Sequence, residues 1–383
     1  MNPRLSRREA IQGSVALAAL ALKSPWSILG VDEPKAGEQL IPFLDVQPAG
    51  RPMLRWQDLT EWITPDNQVF SVNHYGQPQV DLAAWQLDIS GLVRQPHVFT
   101  LEQLRSRPHQ EVIATLECSG NSSNPGFMGA VANARWTGTP LAPLLRACDP
   151  FKRAREVVFF GADQKTEKIR EKDYPQNFAR SLSWADANRD DIILAYEMNG
   201  RPLTPEHGAP LRLIVPGWFG VAWVKWLTRI ELLDRRYMSR FMARDYVTIR
   251  GEEKNGQTVW RETSVGPIDV KSMVARAVRR LDGTVRFTGA AWTDGTPLRA
   301  VEIKIDQEPW RRVELEKKNR AGYAWTFWHY DWKHPQAGEH TVVSRATDAE
   351  GRIQPEPEDP EIKLKRTYWE ANQQHPRKLR LES

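Results

Sequence analysis

Cys118 stands where an apolar run, ATLEC (114–118), meets a turn of small polar residues, SGNSSNP (119–125). It is one of two cysteines in 383 residues. A thiolate at the mouth of such a turn can be a nucleophile, a disulfide partner or a ligand to a soft metal. Nucleophilic catalysis needs a base beside it in space, and the sequence cannot show one. A disulfide would need Cys148, which falls on the apolar face of TPLAPLLRAC (139–148) and reads as a buried small hydrophobe. From the residue alone the three roles stay open.

Whatever its role, Cys118 must be held by elements legible in the hydrophobic period. VFSVNHYGQP (69–78), WQLDISGLV (85–93) and QEVIATLEC (110–118) read as short strands between Gly and Pro turns. TPLAPLLRAC reads as a helix, its start marked by Thr139, with Pro140 in the first helical position. REVVFFGA (155–162) and DIILAYEMNG (191–200) are apolar runs of strand length, and APLRLIVPGWFGVAWVKWLTRIELL (209–233) reads as strand, turn, strand. Beyond Pro267, TVRFTGAAWTD, AVEIKIDQEPWRRVEL, YAWTFWHYDW and GEHTVVSRATDAEG place β-branched or aromatic residues at alternate positions, the pattern of an antiparallel, immunoglobulin-like β-sandwich. The expected fold class is α+β: a mixed domain over 66–262, then the sandwich over 263–383. Residues 31–65, rich in Pro, read as a linker that wraps the first domain.

Composition narrows the function. Hydrophobic residues make up 40% and the net charge is only +5, with no long basic stripe, so nucleic-acid binding has little support. Two cysteines cannot build a disulfide framework or a four-cysteine metal site. No stretch reaches the roughly 18 apolar residues of a membrane span. Near the start, Ser6-Arg7-Arg8-Glu9 precedes the apolar AIQGSVALAALAL (10–22). Residues 1–30 therefore read as an export signal of the twin-arginine type, which implies a periplasmic protein.

The setting of Cys118 decides among its roles. It lies in T-L-E-C-S-G-N. F-S-V-N-H (70–74) comes upstream; G-A-D (161–163), L-A-Y-E-M-N-G-R-P-L (194–203), H-G-A-P-L-R-L-I-V-P-G (207–217), V-K-W-L (224–227) and R-D-Y (244–246) follow. This ordered set resembles the sulfite oxidase family of molybdenum enzymes, from about residue 65 to the C-terminus. The resemblance implies that Cys118 is the single protein ligand to molybdenum, the other ligands coming from a molybdopterin and from oxygen. A soft thiolate suits the metal, and a turn of small residues lets the backbone approach a large cofactor. Phe70, Asn73, His74, Asp163, His207, Arg212, Trp223, Val224 and Lys225 are implied to form the cofactor shell. Arg212 is suited to a bidentate phosphate contact, Lys225 to a point-charge contact, and Asp163 to pterin N–H groups. Tyr246 is implied to stand beside the metal's substrate-facing side. The sandwich corresponds to the family's dimerisation domain, so a homodimer is expected.

The pattern breaks where substrate binds. Family members that oxidise sulfite gather arginines around that anion. At the three corresponding positions this chain has Val72, Ser123 and, less securely aligned, Thr326. Each charged hydrogen bond contributes roughly 1.5–3 kcal/mol, so their loss weakens the hold on a small dianion. Lys165, Lys168 and Arg170 are the nearest cations in sequence, but nothing in the sequence places them in the pocket. The expectation is oxygen-atom transfer at a sulfur centre, with sulfite as the leading substrate and sulfane sulfur borne by a carrier protein as the alternative. A reductase of another oxide and a non-catalytic binding module are the rivals. No C-x-x-C-H haem motif and no spare cysteines for an iron–sulfur cluster are present, so electrons are expected to leave to a separate acceptor such as a c-type cytochrome.

Overall fold

The computed structural model describes residues 34–45, 53–124 and 126–382; the expected export signal over 1–30 lies outside them. The first domain is built on two sheets. In one, Gln110–Glu117, Val131–Pro140, Ile193–Met198 and Arg212–Ile214 lie side by side, all antiparallel, with the short Arg201–Pro202 on Ile193–Met198. In the other, the order is His97–Thr100, Gln86–Gly91, Leu227–Leu233, Glu156–Ile169 and Lys172–Ser183. The single parallel pairing there, Leu227–Leu233 with Gln86–Gly91, makes that sheet mixed. Helices are short. Leu101–Arg105 starts with a reciprocal capping box between Thr100 and Gln103. The expected helix runs Leu141–Ala147, with Pro140 as its cap and as the end of the preceding strand.

The second domain is a sandwich. One sheet is ordered Gln39–Ile41, Lys271–Arg279, Val285–Trp292, Thr326–Trp332 and Glu314–Leu315; the facing one is Arg311–Arg312, Leu298–Ile305, Gly338–Asp348 and Arg377–Leu381. Strands facing solvent on one side alternate, as in Leu298–Ile305 and Arg377–Leu381. Lys271–Arg279 is instead buried along nearly its whole length. One face meets the sandwich core of Val274, Phe287, Ile303 and Val342; the other, through Met273 and Ala275, joins the core of the first domain. That first core also takes in Trp292, Trp325 and Phe327, so the two domains share packed side chains and no solvent layer separates them.

Two readings of the chain change. The segment expected to wrap the first domain instead begins as a sandwich edge strand: Gln39–Ile41 pairs with Lys271–Arg279, and Phe43 bridges Leu379. VFSVNHYGQP forms no strand. Residues 69–80 are irregular, because this stretch faces a cleft and spends polar side chains on the Glu206 carbonyl and the Lys225 ammonium.

Candidate functional site

The cleft draws its lining from both sheets of the first domain. Cys118 is the first residue beyond the strand Gln110–Glu117, in the connection to Val131–Pro140. Its amide donates to Ala130 O at 2.9 Å, and its carbonyl accepts from Asn121 N at 2.9 Å, so the turn closes at once and directs the thiol into the cleft. Both cysteines are free thiols, which removes the disulfide role. Cys148 is fully buried and its Sγ points at Leu144 O, as expected of a small hydrophobe. Burial pushes the Cys118 thiol up to about 11, with the Glu117 carboxylate adding to it. A thiol held protonated at neutral pH is a poor nucleophile, whereas a coordinated metal deprotonates it outright.

Asp163 is aimed by a bulge. The register of Glu156–Ile169 against its neighbour shifts between Phe160 and Gln164, which turns the Gly161–Asp163 stretch into the cleft. A Cβ on Gly161 would lie 2.4 Å from Asp163 Oδ1, so only glycine leaves room for that carboxylate. Burial raises Asp163 to about 6, and its Oδ1 has no partner. Arg212 begins the strand Arg212–Ile214 and is buried. It donates to His207 O at 3.0 Å and Trp223 O at 3.2 Å, lies 4.8 Å over the Trp136 ring, and keeps Nε unpaired. Burial lowers it to about 9. His207 sits in the tight turn ahead of it, before Gly208 at φ +98°, and is held down to about 4 by burial and then by Arg212. Lys225 bonds Asn73 Oδ1, Ser71 Oγ at 2.9 Å and Glu206 O at 3.3 Å; burial lowers it to about 7.

Facing Cys118, Tyr246 hydrogen-bonds His74 Nε2 at 2.5 Å. Burial, reinforced by Cys118, raises the tyrosine, so it stays a phenol; burial, then Lys225, holds His74 down to about 4, so it stays neutral. His74 is wedged between Phe178 and Phe241, each 4.9 Å away ring to ring. Tyr246 stacks on Trp369 at 4.2 Å, and Trp369 meets the exposed Tyr368 at 4.0 Å. Tyr368 lies over the Cys118 turn, where a Cβ on Gly120 would be 3.2 Å from its ring.

Ten of the eleven expected site residues therefore line one cleft: Phe70, Asn73, His74, Cys118, Asp163, His207, Arg212, Trp223, Lys225 and Tyr246. The exception is Val224, whose side chain is fully buried in the core; only its backbone, which accepts from Leu213 N at 2.8 Å, belongs to this region. Of the three positions that lack arginine, only Val72 lines the cleft. Ser123 is in the turn beyond Cys118, and Thr326 is on a sandwich strand. Lys165, Lys168 and Arg170 are not in the lining, and Lys168 pairs with Glu171 at 3.1 Å. The lining also includes Ser71, Ser119, Phe178 and Trp226. Ser71, Ser119 and Trp226 sit inside the quoted motifs and were accessible from them; Phe178 and the tail residues Tyr368 and Trp369 gave no signal.

These groups fit a molybdopterin. A buried arginine without a carboxylate partner is costly unless an anion joins it, and a buried carboxylate oxygen without a donor needs an N–H. A phosphate-bearing pterin brings both to Arg212, Lys225 and Asp163. Among the described residues no group of three or more His, Cys, Asp or Glu could hold a metal unaided. A metal here would rest on Cys118 and on ligands that the cofactor carries. Among the same residues no helix is long and apolar enough to cross a membrane.

Comparison with known proteins agrees. Residues 74–241 match the oxidoreductase molybdopterin binding domain, and residues 264–367 the Mo-co oxidoreductase dimerisation domain. Sulfite oxidase of Arabidopsis thaliana is 28% identical over 78% of this chain and 84% of its own length. Mitochondrial sulfite oxidase of Drosophila melanogaster is 29% identical over 77% of this chain but 56% of its own. Nitrate reductase [NADH] 1 of Arabidopsis thaliana is 30% identical over 70% of this chain and 33% of its own. In fold, the sulfane dehydrogenase SoxCD from Paracoccus pantotrophus superposes with a TM-score of 0.72 over 95% of this chain and 98% of that one, at 23% identity. With the thiol, the buried cations and the two domain matches in place, this chain belongs to the sulfite oxidase family of molybdopterin-dependent oxidoreductases.

Proposed function

We propose that this protein transfers an oxygen atom at a sulfur centre and passes the electrons to a separate acceptor, such as a c-type cytochrome, outside the cytoplasm. The observation that carries the reading is the joint placement of Cys118 and Tyr246 at one part of a cleft whose other part holds Arg212, Lys225 and His207. When bound, the molybdenum cofactor supplies two-electron oxygen-atom chemistry. The chain's own residues do the rest. Arg212 and Lys225 hold the cofactor's phosphate, Asp163 accepts from its pterin, and Cys118 anchors the metal. Tyr246 offers a phenol proton toward the reacting position, and His74 fixes the direction of that hydroxyl. The aromatic walls of Phe178, Phe241 and Trp369 exclude water around this pair. The dimerisation-domain match supports a homodimer through the sandwich.

The lining also favours a particular form of sulfur. Val72 stands in the cleft at an expected arginine position, and Trp369 and Tyr368 make an uncharged rim beside Cys118. An uncharged sulfur carried on a partner protein suits such a rim better than a free dianion does. Protein made in cells that produce molybdopterin tests the reading. Near-stoichiometric molybdenum and pterin in wild type, with molybdenum and turnover lost in Cys118→Ala, is the expected result; a wild type without molybdenum contradicts it.

A further inference from the structure

The turn that carries Cys118 is held from the other domain. Glu117, the residue before the cysteine, is fully buried, as is Lys271 at the start of the sandwich strand Lys271–Arg279. Their ion pair is 2.5 Å long. The same carboxylate accepts from Asn121 Nδ2 at 2.9 Å and from Trp292 Nε1, a second sandwich residue, at 2.8 Å. Asn121 passes the restraint on. Its Oδ1 accepts from Ala130 N at 3.0 Å, its own amide donates to Cys118 O at 2.9 Å, and its carbonyl accepts from Lys271 Nζ at 3.4 Å. Glu117, Asn121, Ala130 and Cys118 thus form one closed set of hydrogen bonds, fastened to Lys271 and Trp292 across the domain boundary.

Stability alone does not account for this arrangement. A fully buried ion pair can commonly be replaced by apolar residues of similar volume without loss of stability. What such a pair does supply is a fixed geometry, since each partner is confined by its hydrogen bonds. We propose that Lys271 is a positioning residue for the metal-binding thiol, acting through Glu117 and Asn121, so that the sandwich domain sets the geometry of the Cys118 turn. The proposal rests on the reading of Cys118 as the metal ligand.

The test uses the full chain free of cofactor. Iodoacetamide labelling of Cys118 is followed by peptide mass spectrometry, with buried Cys148 as the internal control. In Glu117→Leu/Lys271→Met the freed turn exposes the thiol, and labelling of Cys118 accelerates about tenfold or more. In Trp292→Phe, which removes one hydrogen bond and keeps an aromatic ring, though a smaller one, it accelerates about two- to fivefold. Trp292→Phe decides the matter if the double variant does not fold. In cofactor-loaded protein, Trp292→Phe is expected to alter the molybdenum paramagnetic resonance signal. Labelling at the wild-type rate, in folded variants with an unchanged signal, overturns the proposal. Failure of the ligand reading shows separately, as wild-type protein that carries no molybdenum.

Discussion

The two halves of the cleft are built on opposite electrostatic plans. The half formed by Arg212, His207, Lys225 and Asp163 concentrates cations away from water and leaves Arg212 Nε and Asp163 Oδ1 without partners. The half around Cys118 and Tyr246 is walled by Val72, Phe178, Phe241 and Trp369, and its two titratable partners, Tyr246 and His74, both stay neutral. Polar groups left wanting in a folded interior point to a resident anion, whereas neutral aromatic walls point to a substrate that brings little charge. Segment 70–74 reaches both halves: Asn73 bonds Lys225, whereas Val72 and His74 stand on the Tyr246 side, so a change at one position can alter one half and leave the contacts of the other in place.

Breaking the metal contact should have the largest effect. Cys118→Ala is expected to lower turnover at least ~10³-fold, the scale of losing a group on which the chemistry depends, while much of the pterin stays bound to Arg212 and Lys225. Pterin fluorescence after denaturation, set beside steady-state rates, checks this. Next in size is the cation end. Arg212→Met keeps volume and removes a charge-assisted contact worth about 1.5–3 kcal/mol, so pterin retained per chain on dilution should fall about 10- to 150-fold in apparent affinity.

The substrate end offers the sharper contrast. Val72→Arg returns a cation to the lining and should lower KM for sulfite about tenfold or more, by the same energy scale. Thr326→Arg, on a sandwich strand outside the lining, should leave KM unchanged. Equal effects of the two would erase the distinction drawn between the halves.

The smallest effect is on pH and stability. His74 and His207 sit near 4 in the folded chain against an ordinary 6.5. The unfolded chain therefore binds more protons between those values, and folding stability of the cofactor-free protein falls as pH drops from 6.5 toward 4. Asp163, raised to about 6, acts in the opposite sense and offsets part of the slope. His207→Gln should flatten the fall in thermal midpoint across that window.

Much of this was legible in the chain. The sandwich strands that face solvent on one side announce themselves by alternation. Lys271–Arg279 does not, because both of its faces are buried. Val131–Pro140, small-residued and largely buried, hid for the same reason. VFSVNHYGQP has strand composition yet stays irregular, since what it pairs with is a cleft. In the site, Cys118, Asp163 and Arg212 could be found because each lies in a short contiguous motif. Val224 lies in one too, but its side chain belongs to the core. Lys271, Trp292 and Trp369 could not be found: each acts on residues more than a hundred positions away, and only the folded domains bring them together.

The central claim, an intact cofactor end joined to a substrate end where Val72 stands at a cation's position, is tested most directly by titrating the cofactor-loaded protein with sulfite and following loss of the oxidised-cofactor absorbance, wild type beside Val72→Arg. The account predicts stoichiometric molybdenum in both, weak bleaching of the wild type, and bleaching of Val72→Arg at about a tenth of the sulfite concentration or less. Tight, rapid bleaching of the wild type, unchanged by the added arginine, would contradict it.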